Sequence, residues 1–155
     1  MIEVRRDDPL SPAVAGLIDE HLAFAKANTD SAFRFALGAQ KLAQPGTAFF
    51  TAWQGETLVG MGAVKRLDET HAELKSMRTA DGHRGKGVGA AMLTALIAHA
   101  RHEGIVRLSL ETGTDDDFIP AHALYRRFGF VDCAAFADYP ADSPKNRYMT
   151  LTLEV

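Results

Sequence analysis

The chain has 155 residues, of which 46% are hydrophobic and 24% charged, with a formal net charge of -3 and a single cysteine, Cys133. That composition excludes a disordered chain, the acidic balance excludes a general electrostatic hold on nucleic acid or on an anionic membrane, and the lone cysteine excludes both an internal disulfide framework and a cysteine-built zinc site. One domain over residues 1–155 is expected, and with no secretory leader at its start and no uncharged run of the roughly 18 residues that a membrane span needs, a cytoplasmic monomer or homodimer.

Residues 2–6 alternate apolar and charged side chains as a short strand does, and Ser11-Pro12 supply an N-cap and a first helical residue. Val14, Leu17, Ile18, Leu22 and Ala25 then recur at steps of three and four, so the spacing predicts a helix that Asn28-Thr29-Asp30 ends. A second short helix is read over 31–42, before Gln44-Pro45-Gly46. The β-rich runs 48–53 and 57–65 flank Gln54-Gly55-Glu56 as an antiparallel hairpin, and 71–79 is a further strand. Residues 87–103 carry Met92, Leu93, Leu96, Ile97 and Ala100 at helical spacing, Gly104 is the stop, and 105–110 is again a strand. A strand, a helix and a strand in that order imply a parallel pair joined by a right-handed crossover. Pro120 opens a helix whose face carries Ala121, Leu124, Tyr125 and Phe128, Gly129 closes it, and 130–136 and 146–154 are the last strands. The loop 137–145 between them is long enough to cover a substrate, and its Asp138, Tyr139 and Asp142 are candidate acceptor contacts.

Between the strand at 71–79 and the helix that follows lies Arg84-Gly85-Lys86-Gly87-Val88-Gly89. Glycines there let main-chain N–H groups approach an anion without an intervening Cβ, and the helix start adds partial positive charge, which together make a cradle for a diphosphate. A Walker A loop is excluded, because no lysine followed by serine or threonine ends the motif. The loose dinucleotide pattern of Gly85, Gly87 and Ala90, with Glu111 on the next strand, is disfavoured by its place after an antiparallel hairpin and by the short chain that remains.

Arg84, Gly87 and Gly89 match the signature of the GNAT N-acetyltransferase superfamily, a Gln or Arg, two residues, Gly, one residue, then Gly or Ala. The preceding Leu74-Lys75-Ser76-Met77-Arg78-Thr79 and the downstream Ala121-His122-Ala123-Leu124-Tyr125-Arg126-Arg127-Phe128-Gly129-Phe130 resemble that superfamily too, in the same order. The resemblance implies an α/β (mixed α+β) fold, a central, mostly antiparallel sheet splayed at one parallel strand pair and flanked by helices. It implies acetyl-CoA as cosubstrate, no metal, main-chain groups of Met77, Arg78 and Thr79 along the thioester and pantetheine, and amides from Arg84 through Gly85, Lys86, Gly87 and Val88 to Gly89 on the diphosphate. Many relatives carry an asparagine after the strand at 105–110; here Glu111-Thr112-Gly113-Thr114 follow, and Thr112 is the expected substitute.

An alkylammonium with a pKa near 10 is only about one part in a thousand neutral at pH 7, so a base must take its proton. Glu73 holds the position of the acid used in the histone-acetylating branch of the superfamily, and strand alternation puts Glu73, Lys75 and Met77 on one face; Glu111 is the rival base. The N–H of Met77 would stabilise the developing oxyanion, and Tyr125, also expected against the cofactor, would protonate the departing thiolate. The expected activity is acetyl transfer to a primary amine of a small molecule by direct attack in a ternary complex, with Cys133 a bystander. A protein or peptide acceptor, and a non-catalytic acyl-CoA sensor, are the alternatives.

Overall fold

The computed structural model describes residues 1–28 and 38–153. Along them run β1 (Ile2–Arg6), α1 (Pro12–Asn28), α2 (Ala39–Leu42), β2 (Thr47–Gln54), β3 (Thr57–Arg66), β4 (His71–Thr79), α3 (Val88–His102), β5 (Arg107–Gly113), a 3-10 turn (Asp116–Phe118), α4 (Ile119–Arg127), β6 (Val131–Asp132) and β7 (Asn146–Thr152). The helix expected over 31–42 is present at its end as α2, while 31–37 lie outside the described residues.

The strands form one sheet in the order β1-β2-β3-β4-β5-β7-β6, antiparallel throughout except for the parallel pair β4–β5. The exception follows from the chain order, because the helix between β4 and β5 is the crossover that returns the second strand in the same direction. The apolar stripe of α3, including Met92, Leu93 and Leu96, packs with Leu74, Leu108, Leu110 and Met149 in one core. On the other face of the sheet Val14, Leu17 and Ile18 of α1 meet Leu42, Phe49, Met61 and Ala63. Adjacent Ala63 and Val64 go to different cores, as alternation along a strand requires. No helix among the described residues is long and apolar enough to cross a membrane.

Two departures from regular pairing shape the site. Between the pairs Met61↔Arg78 and Ala63↔Lys75 a single residue of β3, Gly62, faces two of β4, Ser76 and Met77. Ser76 takes a left-handed φ of 56° there, a bulge that bends β4 and increases its twist. The ladder between β4 and β5 runs only from His71↔Arg107 to Leu74↔Leu110, although the strands continue to Thr79 and Gly113. Past the bend they diverge, and residues 75–79 are left without a strand partner on the β5 side.

The bulge corrects one expectation about faces. Strict alternation would align Met77 with Glu73 and Lys75, but the extra residue turns Met77 into the α3 core beside Leu74, while Glu73 and Lys75 face Tyr139. The strand expected over 130–136 is also shorter. Only Val131 and Asp132 pair with β7, at Thr150 and Met149. After a last bond from Cys133 N–H to Tyr148 O at 2.9 Å, the chain turns at Ala137, φ 50°, and Phe136 joins Tyr139 and Tyr148 in an aromatic cluster instead of alternating.

Candidate active site

The diverging ends of β4 and β5 open a groove of about 550 Å³. The glycine loop and the start of α3 close one end, Glu73, Lys75 and Glu111 line the other, and Tyr125 and Leu124 of α4 form part of its wall.

At the loop end, Gly82, Gly85 and Gly87 have φ of 86°, 76° and 85°. Nothing lies within 4 Å of a Cβ built on Gly85 or Gly87, so glycine is required there for its backbone conformation rather than for space. Gly87 is the N-cap of α3 and supplies no side-chain acceptor, and the first turn of α3 carries no acid. Neither the N-cap side chain nor an acid in the first turn thus caps the first amides of the helix, and with the helix dipole these amides favour an anion. Gly89 differs: a Cβ there would lie 2.8 Å from Leu124 Cδ2, so its small size serves the packing of α3 on α4. Arg84 is an exposed residue of the groove wall with an Nη2 3.2 Å from Asp81, whereas Lys86 is exposed and not part of that wall. The Arg78 guanidinium is engaged elsewhere, with Glu20 at 2.8 Å and Asp81 at 3.2 Å, which leaves its main chain for a ligand. Thr79 and the buried Thr112 both line the groove.

At the acid end Glu73 is 3% exposed. Its Oε2 lies 3.2 Å from Lys75 Nζ and accepts a hydrogen bond from the Tyr139 hydroxyl. Glu111 accepts a bond from Asn146 Nδ2 at 2.7 Å. Burial pushes the Glu111 carboxyl up to about 7, the Asn146 bond pulls it down, and the charge of Glu73 pushes it up again. Tyr125 is buried with its ring 5.7 Å from that of Phe130, and burial, then the charge of Glu111, pushes its phenol well above the usual range. The loop 137–145 is tied down at several points: Tyr148 donates to Pro140 O at 2.6 Å, Thr114 to Pro144 O at 2.9 Å, and Ser143 meets Asn146.

This groove gathers the expected side chains except Lys86 and, of the three candidate acceptor contacts, takes in Tyr139 but not Asp138 or Asp142; it adds His21, Phe24, His83 and Phe118, which no local pattern singles out. Asn146 was equally invisible, since it reaches Glu111 only through the register Gly113↔Asn146 between β5 and β7. Cys133 is not part of the wall, and burial pushes its thiol up. Of the paired arginines, Arg127 lines the groove while Arg126 pairs with Asp132 at 3.2 Å. Among the described residues no group of three or more His, Cys, Asp or Glu side chains is placed to hold a metal. A smaller cavity of about 190 Å³ lies under Arg6, Arg66 and His99. There Arg66 is occupied by Glu69 O at 2.8 Å and Glu103 O at 2.7 Å.

Comparison with known proteins points the same way. Residues 16–130 match the model of the acetyltransferase (GNAT) family. The uncharacterized N-acetyltransferase YedL of Escherichia coli (strain K12) is 42% identical over 153 residues, 99% of this chain and 96% of that one. The uncharacterized N-acetyltransferase YsnE of Bacillus subtilis (strain 168) is 42% identical over 152 residues, 98% of this chain and 100% of that one. A crystal structure from Klebsiella pneumoniae subsp. pneumoniae, assigned as an acyl-CoA N-acyltransferase, superposes with a TM-score of 0.81 at 28% identity, covering 99% of each chain.

Proposed function

The chain belongs to the acetyltransferase (GNAT) family and is an acetyl-CoA-dependent acyltransferase; within that activity we propose that it acetylates the primary amine of a small molecule by direct attack in a ternary complex. The observation that carries the reading is a single groove with uncapped helix amides at one end and a buried carboxyl at the other, a distance apart that the unpaired edge of β4 spans. The residues fit the cosubstrate: glycine-loop amides for its diphosphate and an open strand edge for its arm.

Bound acetyl-CoA supplies an activated acyl thioester. Glu111, held near neutrality by burial, takes the proton of the acceptor ammonium, and Asn146 fixes the carboxylate that receives it. Glu73, occupied by Lys75 and Tyr139, contributes charge beside Glu111 rather than the first proton transfer. The N–H of Met77, at the bulge, meets the carbonyl oxygen as it gains charge, an effect worth about 2.7–4 kcal/mol where one such donor is removed. Tyr125, kept protonated by burial, donates to the sulfur as the carbon–sulfur bond breaks, and the second proton, shed by the nitrogen once it is acylated, restores the phenol. No acyl-cysteine is needed, since Cys133 lies outside the groove wall.

Tyr139, in the groove wall and bonded to Glu73, places an aromatic ring beside the acids, which favours a small acceptor over a peptide or a protein lysine. An acid and a buried phenol in one groove favour an enzyme over a sensor. The test is release of free coenzyme A from acetyl-CoA with polyamines, amino acids, aminoglycosides and peptides in turn, with the acetylated product identified by mass. Turnover is expected with a small amine; turnover with peptides alone would overturn the acceptor class, and binding without any turnover would leave a sensor.

A further inference from the structure

Among the described residues, the buried side-chain polar atoms that lack a hydrogen-bond partner are Nδ1 of His21 and Nδ1 of His83. Both residues line the active-site groove. A buried imidazole nitrogen with no partner leaves its desolvation uncompensated, which folded proteins rarely tolerate without a use for it.

The two rings come from different elements and flank the same stretch. His21 stands on α1 between Glu20, whose Oε1 accepts from Arg78 Nε and from Asp81 N–H, each at 3.1 Å, and Phe24, whose ring lies 4.9 Å from the Arg78 guanidinium. His83 stands in the glycine loop, where its N–H donates to Ala80 O at 3.1 Å. Both therefore sit by the end of β4 past Met77 and before the main-chain cradle at Gly85 and Gly87. Between a thioester at Met77 and a diphosphate at that cradle, this stretch would carry the pantetheine arm, whose amides and hydroxyl are donors and acceptors with no charge. Burial, with the charge of Arg78 second, pushes His21 down to about 4, so it meets a ligand as a neutral ring with one donor and one acceptor.

We propose that His21 and His83 hydrogen-bond the amide and hydroxyl groups of the pantetheine arm, completing in the complex the bonds that the free protein lacks. The inference rests on the groove being the acetyl-CoA site. Acetyl-CoA and the bare amine differ in what they offer: only the former carries polar groups along this stretch.

Calorimetric titration of coenzyme A and of adenosine 3′,5′-bisphosphate, which has no arm, into wild type, His21→Phe and His83→Leu tests it. Each substitution is expected to weaken coenzyme A by between about twofold and tenfold and to leave the bisphosphate unchanged. The free variants are expected to melt no lower than wild type, because an apolar side chain removes the unsatisfied nitrogen. A merely structural histidine would give the opposite, a lower Tm with affinity intact, and that result overturns the proposal, as does equal weakening of both ligands. Should a variant fail to fold, nitrogen spectra of the wild-type imidazoles replace it: coenzyme A is expected to shift both Nδ1 resonances, and no shift on saturation overturns the assignment. Wild type that does not bind coenzyme A at all refutes the reading of the groove itself, whereas intact wild-type binding with unmoved variants refutes only the histidines.

Discussion

Glu111 has one oxygen on Asn146 and burial around it, and its carboxyl is lifted to about 7. With Glu111 as base, kcat/KM of the free enzyme rises with pH through a limb near 7, since the ionised form is the one that accepts the proton. Glu111→Gln is expected to remove that limb and lower kcat by about 10²–10⁴-fold. Glu73→Gln withdraws a charge that raises Glu111, so its limb is expected at lower pH with activity retained; loss of activity in Glu73→Gln with Glu111→Gln still active would reverse the two roles. Tyr125→Phe deletes the donor while keeping the ring packed on Phe130; a large fall in kcat at unchanged Tm is expected, and an unchanged kcat would make Tyr125 a core residue only. Glu73 and Tyr125 were legible through the resemblance of the segments around them to the superfamily's motifs, and Glu111 through its place on the neighbouring strand. Their surroundings were less so: Asn146 and His21 arrive from β7 and α1, and Tyr139, read as an acceptor contact, bonds Glu73 from the 137–145 loop; contacts so distant in sequence leave no local period.

Strand and helix order was readable for a physical reason, since stripes at steps of three and four and alternating runs are what one-sided burial imposes. What escaped were the irregularities that make the site. Ser76 adopts φ 56° without being glycine, so nothing in Leu74-Lys75-Ser76-Met77 announces that Met77 changes face. The apolar run from Phe130 reads as a strand, yet β6 stops at Asp132, because Phe136 is more fully buried against aromatic rings than in an edge strand. The loop before α3 is the element whose geometry was most nearly announced, and it gives a clean test. Gly87→Ala meets no steric obstacle but must hold φ near 85°, which costs about 1–2 kcal/mol for an L side chain. A drop in stability of that size is expected by denaturant unfolding, together with weaker coenzyme A binding and unchanged helix content. Full stability in Gly87→Ala would mean that the loop relaxes to another conformation.

Across the whole molecule, two half-buried groups in one groove act on stability in opposite directions. The folded pKa of Glu111 is raised from 4.5 to about 7, so its favourable contribution is complete below 4.5 and is lost as pH rises to about 7. The folded pKa of His21 is lowered from 6.5 to about 4, so its contribution is complete above 6.5 and is lost as pH falls to about 4. Between 4.5 and 6.5 the two slopes, each about 1.4 kcal/mol per pH unit, offset one another. His71, His99 and His122, also lowered by burial, add to the side of His21. Single substitutions expose the hidden terms. Relative to wild type, the unfolding free energy of Glu111→Gln is expected to climb with pH across that interval by about 1.4 kcal/mol per unit, and that of His21→Phe to decline by the same amount. Urea titrations at half-unit steps read both differences directly. Parallel curves for wild type and Glu111→Gln would mean that this carboxyl titrates normally, and with it would go the reason for choosing Glu111 over Glu73 as the base.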